Sequence, residues 1–329
     1  MRFIMSEKPT IILDQPGEIF PDVMRYMLTF AEVKIPKTYE FDELVRLVED
    51  ADAILTWSKT RISRELLSHA GEKLKTIAVT GIGYDNIDLK AAAEKGLIIT
   101  NTPGANSVAV AEYTVGMMLT AIRHCFKGAL LCRNKGWDEG DRFSGRELQG
   151  STVGIVALGN AGGSVAALLS SFNCKILGYD PYVDSQRREA LISKFRVEIV
   201  ATLEELSQRA HIISLHVPLT DSTFHLLNKR HFELMQSDTW ILNVGRAAVV
   251  DEDSLYEFLR DHKIGGYCTD VFPVEPPDYD KPLYFLDNVI ATPHMAAMTH
   301  SSHREMQLRA AENVWAVFNN KKPINVIEK

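Results

Sequence analysis

The chain has 329 residues, 46% of them hydrophobic and 24% charged, which is enough for about two domains, each with its own core. Its formal net charge of −7 argues against nucleic acid or an anionic membrane as a partner, and the lack of a signal-peptide pattern favours a cytoplasmic location. The cysteines form no CxxC pair and are expected to be reduced and mostly buried: Cys125, Cys132, Cys174 and Cys268.

Short apolar runs in the first third of the chain predict the strands of a first unit. They alternate with helical patterns, an order that is typical of a parallel sheet with helices on both faces. The predicted strands are residues 10–14, 51–57, 74–81 and 97–102.

A long helix-compatible stretch, residues 106–132, follows this unit, and the dipeptide Thr102-Pro103 with Gly104 marks its start. The spacing of Cys125 and Cys132 on this stretch favours a shared packing face over a redox pair. Further apolar runs then predict the sheet of a second unit: residues 152–157, 174–180, 211–217, 239–245, 265–271 and 288–294.

The first strand of the second unit runs into a glycine-rich turn that fits a dinucleotide-binding fingerprint. Gly159 would let a pyrophosphate approach the backbone, and Gly162 would let the following helix pack closely on the strand. Asp180 ends the next strand, about 18 residues after Gly162, where the fingerprint expects an acid on the adenosine ribose. The alternative is an ordinary strand-to-helix turn that binds no nucleotide. The fingerprint's first glycine is Ala157 here, whose methyl should crowd the turn only modestly.

Ionisable side chains follow three predicted strands near the end of the chain. An arginine such as Arg246 can bind a carboxylate through two parallel hydrogen bonds, and a histidine beside a glutamate, as His294 and Glu275 would be, can exchange a proton near neutral pH. Carboxyl ends of parallel strands are where ligands lie, so we expect these three groups to act together on one ligand. A carboxylate-binding arginine with a proton-exchanging histidine suits the interconversion of a 2-hydroxy acid and a 2-oxo acid. The alternatives are a surface arginine, a solvated loop glutamate between Pro273 and Pro277, and a structural histidine.

A metal site is not expected. His300 and His303 could share a metal, but without a third ligand in view they are better read as an exposed helix turn.

The chain resembles the D-isomer-specific 2-hydroxyacid dehydrogenase family over nearly its whole length. The resemblance rests on seven motifs in the family's order: TGIGYDNIDL at 80–89, NTPGANSVAVAE at 101–112, GRELQGSTVGIVALGNAGG at 145–163, HVPLT at 216–220, NVGRAAVVDE at 243–252, CTDVFPVEP at 268–276 and TPHMAA at 292–297. The sequence departs from the family pattern at Ala157, at Asn160 where arginine is common, and at Ala161 where isoleucine is common. These changes should affect cofactor affinity more than chemistry.

The resemblance implies an α/β protein with two doubly wound parallel-sheet domains, a Rossmann coenzyme domain inserted in a flavodoxin-like substrate domain. The expected boundaries are 1–105 with 299–329 for the substrate domain and 106–298 for the NAD-binding domain. It also implies a homodimer, NAD as the cofactor, and a catalytic set of Arg246, Glu275 and His294.

Further roles follow from the resemblance together with the fingerprint. The expected cofactor-binding residues are Gly159, Asn160, Ala161, Gly162, Asp180, His216, Val217, Val244, Gly245, Arg246, Asp270 and His294. For Asp270, helix capping is the alternative to a place near the nicotinamide, and His216 could simply be a strand-end histidine. The expected substrate-binding residues are Ile82, Gly83, Arg246 and Trp57, with the amides of the first two on the carboxylate. Trp57 lies near where phosphoglycerate-specific relatives often carry arginine. An indole there cannot neutralise a phosphate, which favours an uncharged or aromatic substrate tail.

The function expected from these observations is hydride transfer between NAD(H) and C2 of a small 2-hydroxy or 2-oxo acid, of the glyoxylate or hydroxypyruvate type. One alternative is an NAD-sensing binding protein like the corepressors that share the fold. A 3-phosphoglycerate or phosphite dehydrogenase is another. Formate oxidation is less favoured, because formate enzymes of this fold place glutamine where Glu275 stands.

Overall fold

Two compact units make up the protein, and each is an α/β layer structure. The computed structural model describes four stretches of the chain: residues 8–15, 19–57, 60–138 and 141–327. The units comprise Met1–Asn106 with Thr299–Lys329, and Ser107–Met298.

Twelve strands occur in the described residues, and all their pairings are parallel. They are β1 (Thr10–Asp14), β2 (Glu32–Lys34), β3 (Ala53–Thr56), β4 (Thr76–Val79), β5 (Ile98–Thr100), β6 (Thr152–Val156), β7 (Lys175–Tyr179), β8 (Val197–Ile199), β9 (Ile212–Leu215), β10 (Trp240–Asn243), β11 (Gly266–Thr269) and β12 (Val289–Ala291).

The α-helices of the same stretches are α1 (Pro21–Phe30), α2 (Phe41–Val48), α3 (Arg64–Ser68), α4 (Leu89–Glu94), α5 (Ser107–Ile122), α6 (Cys125–Arg133), α7 (Asn160–Leu169), α8 (Ser185–Phe195), α9 (Leu203–Arg209), α10 (Lys229–Phe232), α11 (Glu252–Arg260) and α12 (His300–Phe318). Side chains cap many of their N-termini. Ser63, Asp88, Asp184 and Thr202 each accept a backbone N–H of the first turn that follows.

The first unit has a five-stranded sheet in the order β2-β1-β3-β4-β5, the flavodoxin-like order. Its central strands are fully buried, which explains their unbroken apolar sequences. The last helix, α12, belongs to this unit, because Ala310 and Val314 lie in one core cluster with Ile11 and Leu55.

The second unit has a seven-stranded sheet in the order β12-β11-β10-β9-β6-β7-β8. Six of these strands follow the Rossmann order, with β6 as its first strand and β12 added at one edge. Chain connections diverge on the two sides of β6, and ligands of open α/β sheets lie outside the carboxyl ends of strands at such a point. The two sheets confirm the predicted fold class.

The predicted helix over 106–132 is wrong in one respect, because it is two helices. Arg123 and His124 interrupt it, and His124 has a left-handed backbone with a φ of 52°. The axes of α5 and α6 differ by 67°. Cys125 and Cys132 both lie on α6 and are exposed, so neither the expected burial of these two thiols nor their shared packing face is found.

Apolar helices are short in this protein. Within the part of the chain that the structure describes, no single helix has the length and apolar composition to cross a membrane, and only the bent pair α5 and α6 meets those criteria together.

Candidate active site

The glycine-rich turn after β6 has room for a ligand where the fingerprint requires it. A Cβ on Gly159, the N-cap of α7, would meet no atom within 4 Å, so the backbone there faces open space. A Cβ on Gly162 would fall on the carbonyl oxygen of Ala157, so the helix packs too closely for any other residue. The first amides of α7 are thus positioned for a pyrophosphate, and Asn160 and Ala161 carry them.

Ala157 stands in the turn with a φ of 69°, in the left-handed region that favours glycine. The methyl therefore does more than crowd the turn modestly, because it puts an alanine in an unfavourable backbone conformation.

Asp180 follows β7 and is held by two backbone amides. Leu158 N–H donates to its Oδ2 at 2.8 Å, and Tyr182 N–H donates to its Oδ1 at 2.9 Å. The carboxylate is therefore fixed beside the glycine-rich turn, where it can accept hydrogen bonds from ribose hydroxyls.

Arg246 follows β10, and a buried asparagine holds its backbone. The Asn243 side chain donates to the carbonyl of Arg246 at 3.0 Å and accepts the amide of Gly245 at 3.1 Å. The guanidinium donates to the carbonyl of Gly245 at 3.0 Å. A Cβ on Gly245 would come within 2.9 Å of the carbonyl oxygen of Val217, so this turn and the one after β9 pack backbone to backbone.

His294 and Glu275 are in direct contact. Nδ1 of His294 lies 2.8 Å from each oxygen of the Glu275 carboxylate, and the side chains keep 31% and 26% of their surface exposed. A carboxylate can only accept here, so Nδ1 carries the proton and donates it. Nε2 is then the ring nitrogen that does not face Glu275.

The backbone at His294 is held in the left-handed region, with a φ of 52°, by a buried carboxylate. Asp270, after β11, accepts the amides of Met295 at 2.9 Å and Ala296 at 2.7 Å. Asp270 also accepts the hydroxyl of Thr292 at 2.7 Å. It therefore anchors the turn that carries His294 and does not cap a helix.

Two hydroxyls to which the sequence assigned no role complete this anchor. The hydroxyls of Tyr113, on α5, and Thr292 are 2.5 Å apart, and Tyr113 also donates to Asp270 at 3.4 Å. Burial raises the pKa of Tyr113 to about 12, so its hydroxyl stays protonated at neutral pH. Thr292 lies in the motif TPHMAA, but nothing in the sequence indicates its contact with Tyr113, which joins positions far apart in the chain.

His216, after β9, has its ring turned toward Ser214, with Nε2 2.9 Å from the serine hydroxyl. Burial lowers the pKa of His216 to about 4, so the ring is neutral at physiological pH. Val217 beside it is buried.

In the first unit, the loop after β4 presents backbone amides. Thr102 holds the carbonyl of Gly81 through its amide and its hydroxyl, and Asn101 donates to the carbonyl of Ile82 at 2.8 Å. Neither Ile82 N–H nor Gly83 N–H donates to a protein group within the described residues. The loop is thus oriented by its carbonyls and leaves two adjacent donors for an anion.

Trp57, one residue after β3, packs edge-on against His303 of α12, with ring centroids 5.1 Å apart. Burial lowers the pKa of His303, and the neighbouring His300 adds to this, so the imidazole of His303 is mostly uncharged at neutral pH, as the indole of Trp57 always is. No group of three or more His, Cys, Asp or Glu side chains suited to a metal occurs in the four stretches described.

Comparison with known proteins places this arrangement in a family. The model of the D-isomer specific 2-hydroxyacid dehydrogenase NAD binding domain matches residues 115–296. The chain belongs to that family. The glycine-rich turn and Asp180 lie inside its NAD-binding domain, as expected for a protein that binds NAD.

Family members resemble the chain over most of its length. It is 38% identical to D-3-phosphoglycerate dehydrogenase of Methanocaldococcus jannaschii, over 93% of this chain and 57% of that protein. It is 37% identical to hydroxypyruvate reductase of Thermotoga maritima, over 84% of this chain and 88% of that protein. The NAD+-bound 3-phosphoglycerate dehydrogenase of Entamoeba histolytica superimposes with a TM-score of 0.81 at 27% identity, covering 98% of this chain and 99% of that one.

The relatives differ in length. The chain spans only 57% and 52% of two archaeal D-3-phosphoglycerate dehydrogenases that it matches, but 88% of the hydroxypyruvate reductase.

Proposed function

We propose that the protein transfers a hydride between NAD(H) and C2 of a small 2-hydroxy or 2-oxo acid. One observation carries this proposal: His294 and Glu275 form a pair at 2.8 Å beside the carboxyl edge of the NAD-binding sheet. A histidine fixed in this way is a proton donor and acceptor at the edge where ligands of such sheets lie. The similarity to hydroxypyruvate reductase supports the same class of substrate.

His294 would move the proton. When bound, NADH supplies the hydride that reduces C2 of the oxo acid. The imidazolium of His294 gives the Nε2 proton to the C2 oxygen as the C–H bond forms, and the neutral imidazole then regains a proton from solvent. Glu275 stabilises the imidazolium and holds Nδ1 away from the substrate. In the oxidative direction neutral His294 accepts the hydroxyl proton instead.

Arg246 would bind the substrate carboxylate and polarise the C2 carbonyl, since a guanidinium presents parallel donors to an anion. In the first unit, the amides of Ile82 and Gly83 would provide donors for a carboxylate. Their loop is held by its carbonyls, so these donors need no rearrangement before they bind an anion.

Trp57 would contact the substrate tail and favour an uncharged one, because it and His303 offer aromatic surface without charge at neutral pH. Replacing Trp57 with arginine should raise the kcat/KM for a phosphorylated acid relative to an apolar one by at least about 10-fold. Trp57→Phe, which keeps an uncharged ring, is the matched control. An unchanged ratio in Trp57→Arg would place the residue outside the substrate site.

A phosphorylated substrate is the second candidate, because a relative that is 38% identical to the chain is a D-3-phosphoglycerate dehydrogenase. The loss of NADH absorbance with glyoxylate, hydroxypyruvate, phenylpyruvate and phosphohydroxypyruvate distinguishes the two. We expect the highest kcat/KM with an unphosphorylated acid. Turnover of none of the four would favour an NAD-sensing binding protein.

A homodimer and a cytoplasmic location belong to this proposal too. The homodimer rests on the family resemblance, and the location rests on composition and charge.

A further inference from the structure

Arg187, on the first turn of α8, reaches the glycine-rich turn although no family motif of the chain includes it. Its Nε donates to the carbonyl of Leu158 at 2.6 Å. Its Nη2 lies 2.9 Å from the point that a Cβ on Gly163 would occupy. The half-buried guanidinium therefore lies directly against the segment that binds the dinucleotide.

A single residue of that turn links Arg187 to Asp180. Leu158 donates its amide to the Asp180 carboxylate and accepts Arg187 Nε at its carbonyl. The anionic Asp180 thus binds the amide of Leu158, and the cationic Arg187 binds its carbonyl. Within residues 8–15, 19–57, 60–138 and 141–327, the terminal nitrogens of Arg187 make no hydrogen bond or ion pair. Their donors remain for a ligand.

The charges of Asp180 and Arg187 have opposite effects on a nucleotide with a 2′-hydroxyl and on one with a 2′-phosphate. The dinucleotide fingerprint would have Asp180 accept hydrogen bonds from the ribose hydroxyls, and its charge would repel a 2′-phosphate. A guanidinium with open N–H donors attracts a phosphate and gains little from a ribose hydroxyl. The neighbours Pro181 and Tyr182 carry no charge.

We infer that Arg187 is a second selectivity residue, which binds the 2′-phosphate of a 2′-phosphorylated nucleotide and opposes Asp180. NADPH binding is therefore weaker than NADH binding but measurable. It depends on Arg187 much more than NADH binding does, because NADH gains only from the hydrogen bond by which Arg187 holds Leu158. The inference rests on the NAD-binding domain of the family and not on the identity of the acid substrate.

Equilibrium binding to the purified full chain tests this inference without turnover. Titration calorimetry gives the Kd of NADH and NADPH, and of the fragments 5′-AMP and 2′-AMP. Arg187→Met should raise the Kd of NADPH by about 10-fold or more beyond its effect on NADH, the loss expected for a charge-assisted hydrogen bond, whereas the Kd of NADH should rise by only about 2- to 3-fold through loss of the contact with Leu158. Arg188→Met is the matched control, since Arg188 is the exposed neighbour on the same helix turn, and should change neither.

The charge of Asp180 provides the second half of the test. Asp180→Asn keeps an oxygen for the amide of Leu158 and removes the charge, so it should lower the Kd of NADPH by at least about 10-fold. Adding Arg187→Met should abolish that gain, and adding Arg188→Met should leave it.

If Arg187→Met raised the Kd of NADH and the Kd of NADPH by the same factor, Arg187 would only hold the turn, and the inference would be overturned. An Asp180→Asn gain that survives Arg187→Met would also overturn it. Arg187→Lys, which keeps a charge, should retain more NADPH binding than Arg187→Met if the fold is intact in both. A chain that reduces no 2-oxo acid but shows this binding pattern would contradict the proposed activity alone.

Discussion

Two turns at the carboxyl edge of the second sheet each hold a non-glycine residue in the left-handed region, and they do so for different reasons. Ala157 has a φ of 69° after β6, and His294 has a φ of 52° after β12. At 157 the methyl packs against the edge of a core cluster but takes no part in the proposed reaction, and glycine would suit the backbone better. At 294 the imidazole is the group that the proposed reaction needs. The second turn accordingly has the denser set of hydrogen bonds, centred on Asp270.

Buried polar groups that take no part in the proposed reaction maintain the backbone strain at His294. Asp270 is 1% exposed, whereas the side chain of His294 is 31% exposed. The exposed imidazole of His294 can exchange protons with substrate and solvent, and the buried carboxylate of Asp270 can keep the backbone of the turn in place. Substitutions should separate these two roles.

The largest effect is expected for His294 itself. His294→Gln should lower kcat for reduction by roughly 100-fold or more, as for loss of a positioned proton donor, with NADH affinity nearly unchanged. His294→Gly should be as inactive as His294→Ala but more stable, by up to about 1 kcal/mol, because glycine accepts the left-handed backbone. Steady-state kinetics, fluorescence titration with NADH and thermal unfolding measure the three quantities. Near-normal turnover in His294→Gln would refute the mechanism.

The next effect concerns the hydroxyl pair behind the catalytic turn. Tyr113→Phe should lower kcat by about 5- to 10-fold, the value of one buried hydrogen bond, and leave the KM for NADH unchanged. Because burial raises the pKa of Tyr113 to about 12, the hydroxyl does not titrate between pH 6 and 9, so the pH profile should keep its shape. Thr292→Val should cause a similar loss, and the double variant no more than either alone.

Tyr256→Phe, on α11, provides the control for that experiment and should leave kcat unchanged. Additive losses in the Tyr113 and Thr292 double variant would show that the two hydroxyls act independently, which would contradict the shared anchor.

A smaller effect is expected for Glu275→Gln. The carboxylate lies 2.8 Å from Nδ1 and accepts its proton in a hydrogen bond that orients the imidazole. The amide keeps the size but replaces a charge-assisted hydrogen bond with a neutral one, so kcat for reduction should fall by about 3- to 5-fold and the KM for NADH should not change. Steady-state kinetics measure both quantities. A kcat equal to that of the wild type would remove Glu275 from the pair.

The sequence predicts most of the fold because its buried strands are apolar and end in turn residues. It does not indicate β2, Glu-Val-Lys, or β8, Val-Glu-Ile, which are edge strands with charged residues. Nor does it indicate the break between α5 and α6. The residues at the break, Arg123 and His124, are neither glycine nor proline, so no local signal marks the break.

For the site, the motifs include the residues that act and some that hold them, such as Asp270, but they do not indicate the contacts between distant segments. Arg246, Glu275 and His294 follow strands whose ends converge by topology, and the sequence shows both facts. The contacts of Tyr113 with Thr292, and of Arg187 with Leu158, join distant segments through side-chain reach. Such contacts follow from packing in three dimensions and leave no periodic pattern in the chain.

The smallest effect is expected at the other turn, where Ala157→Gly should stabilise the protein. An alanine in the left-handed region costs about 1 kcal/mol, and the greater freedom of glycine in the unfolded chain offsets roughly half of that. The net gain should be about 0.5 kcal/mol, or roughly 1–2 °C in Tm. Ala190→Gly, in the middle of α8 with right-handed backbone, is the control and should lower stability by about 1 kcal/mol. The kcat at saturating NADH should be unchanged in both variants, because neither alters the turn at His294, whereas the KM for NADH is free to change in Ala157→Gly, which lies in the glycine-rich turn. If Ala157→Gly destabilised the protein as much as Ala190→Gly, the methyl of Ala157 would be a packing contact that the fold needs, and the two left-handed turns would be alike after all.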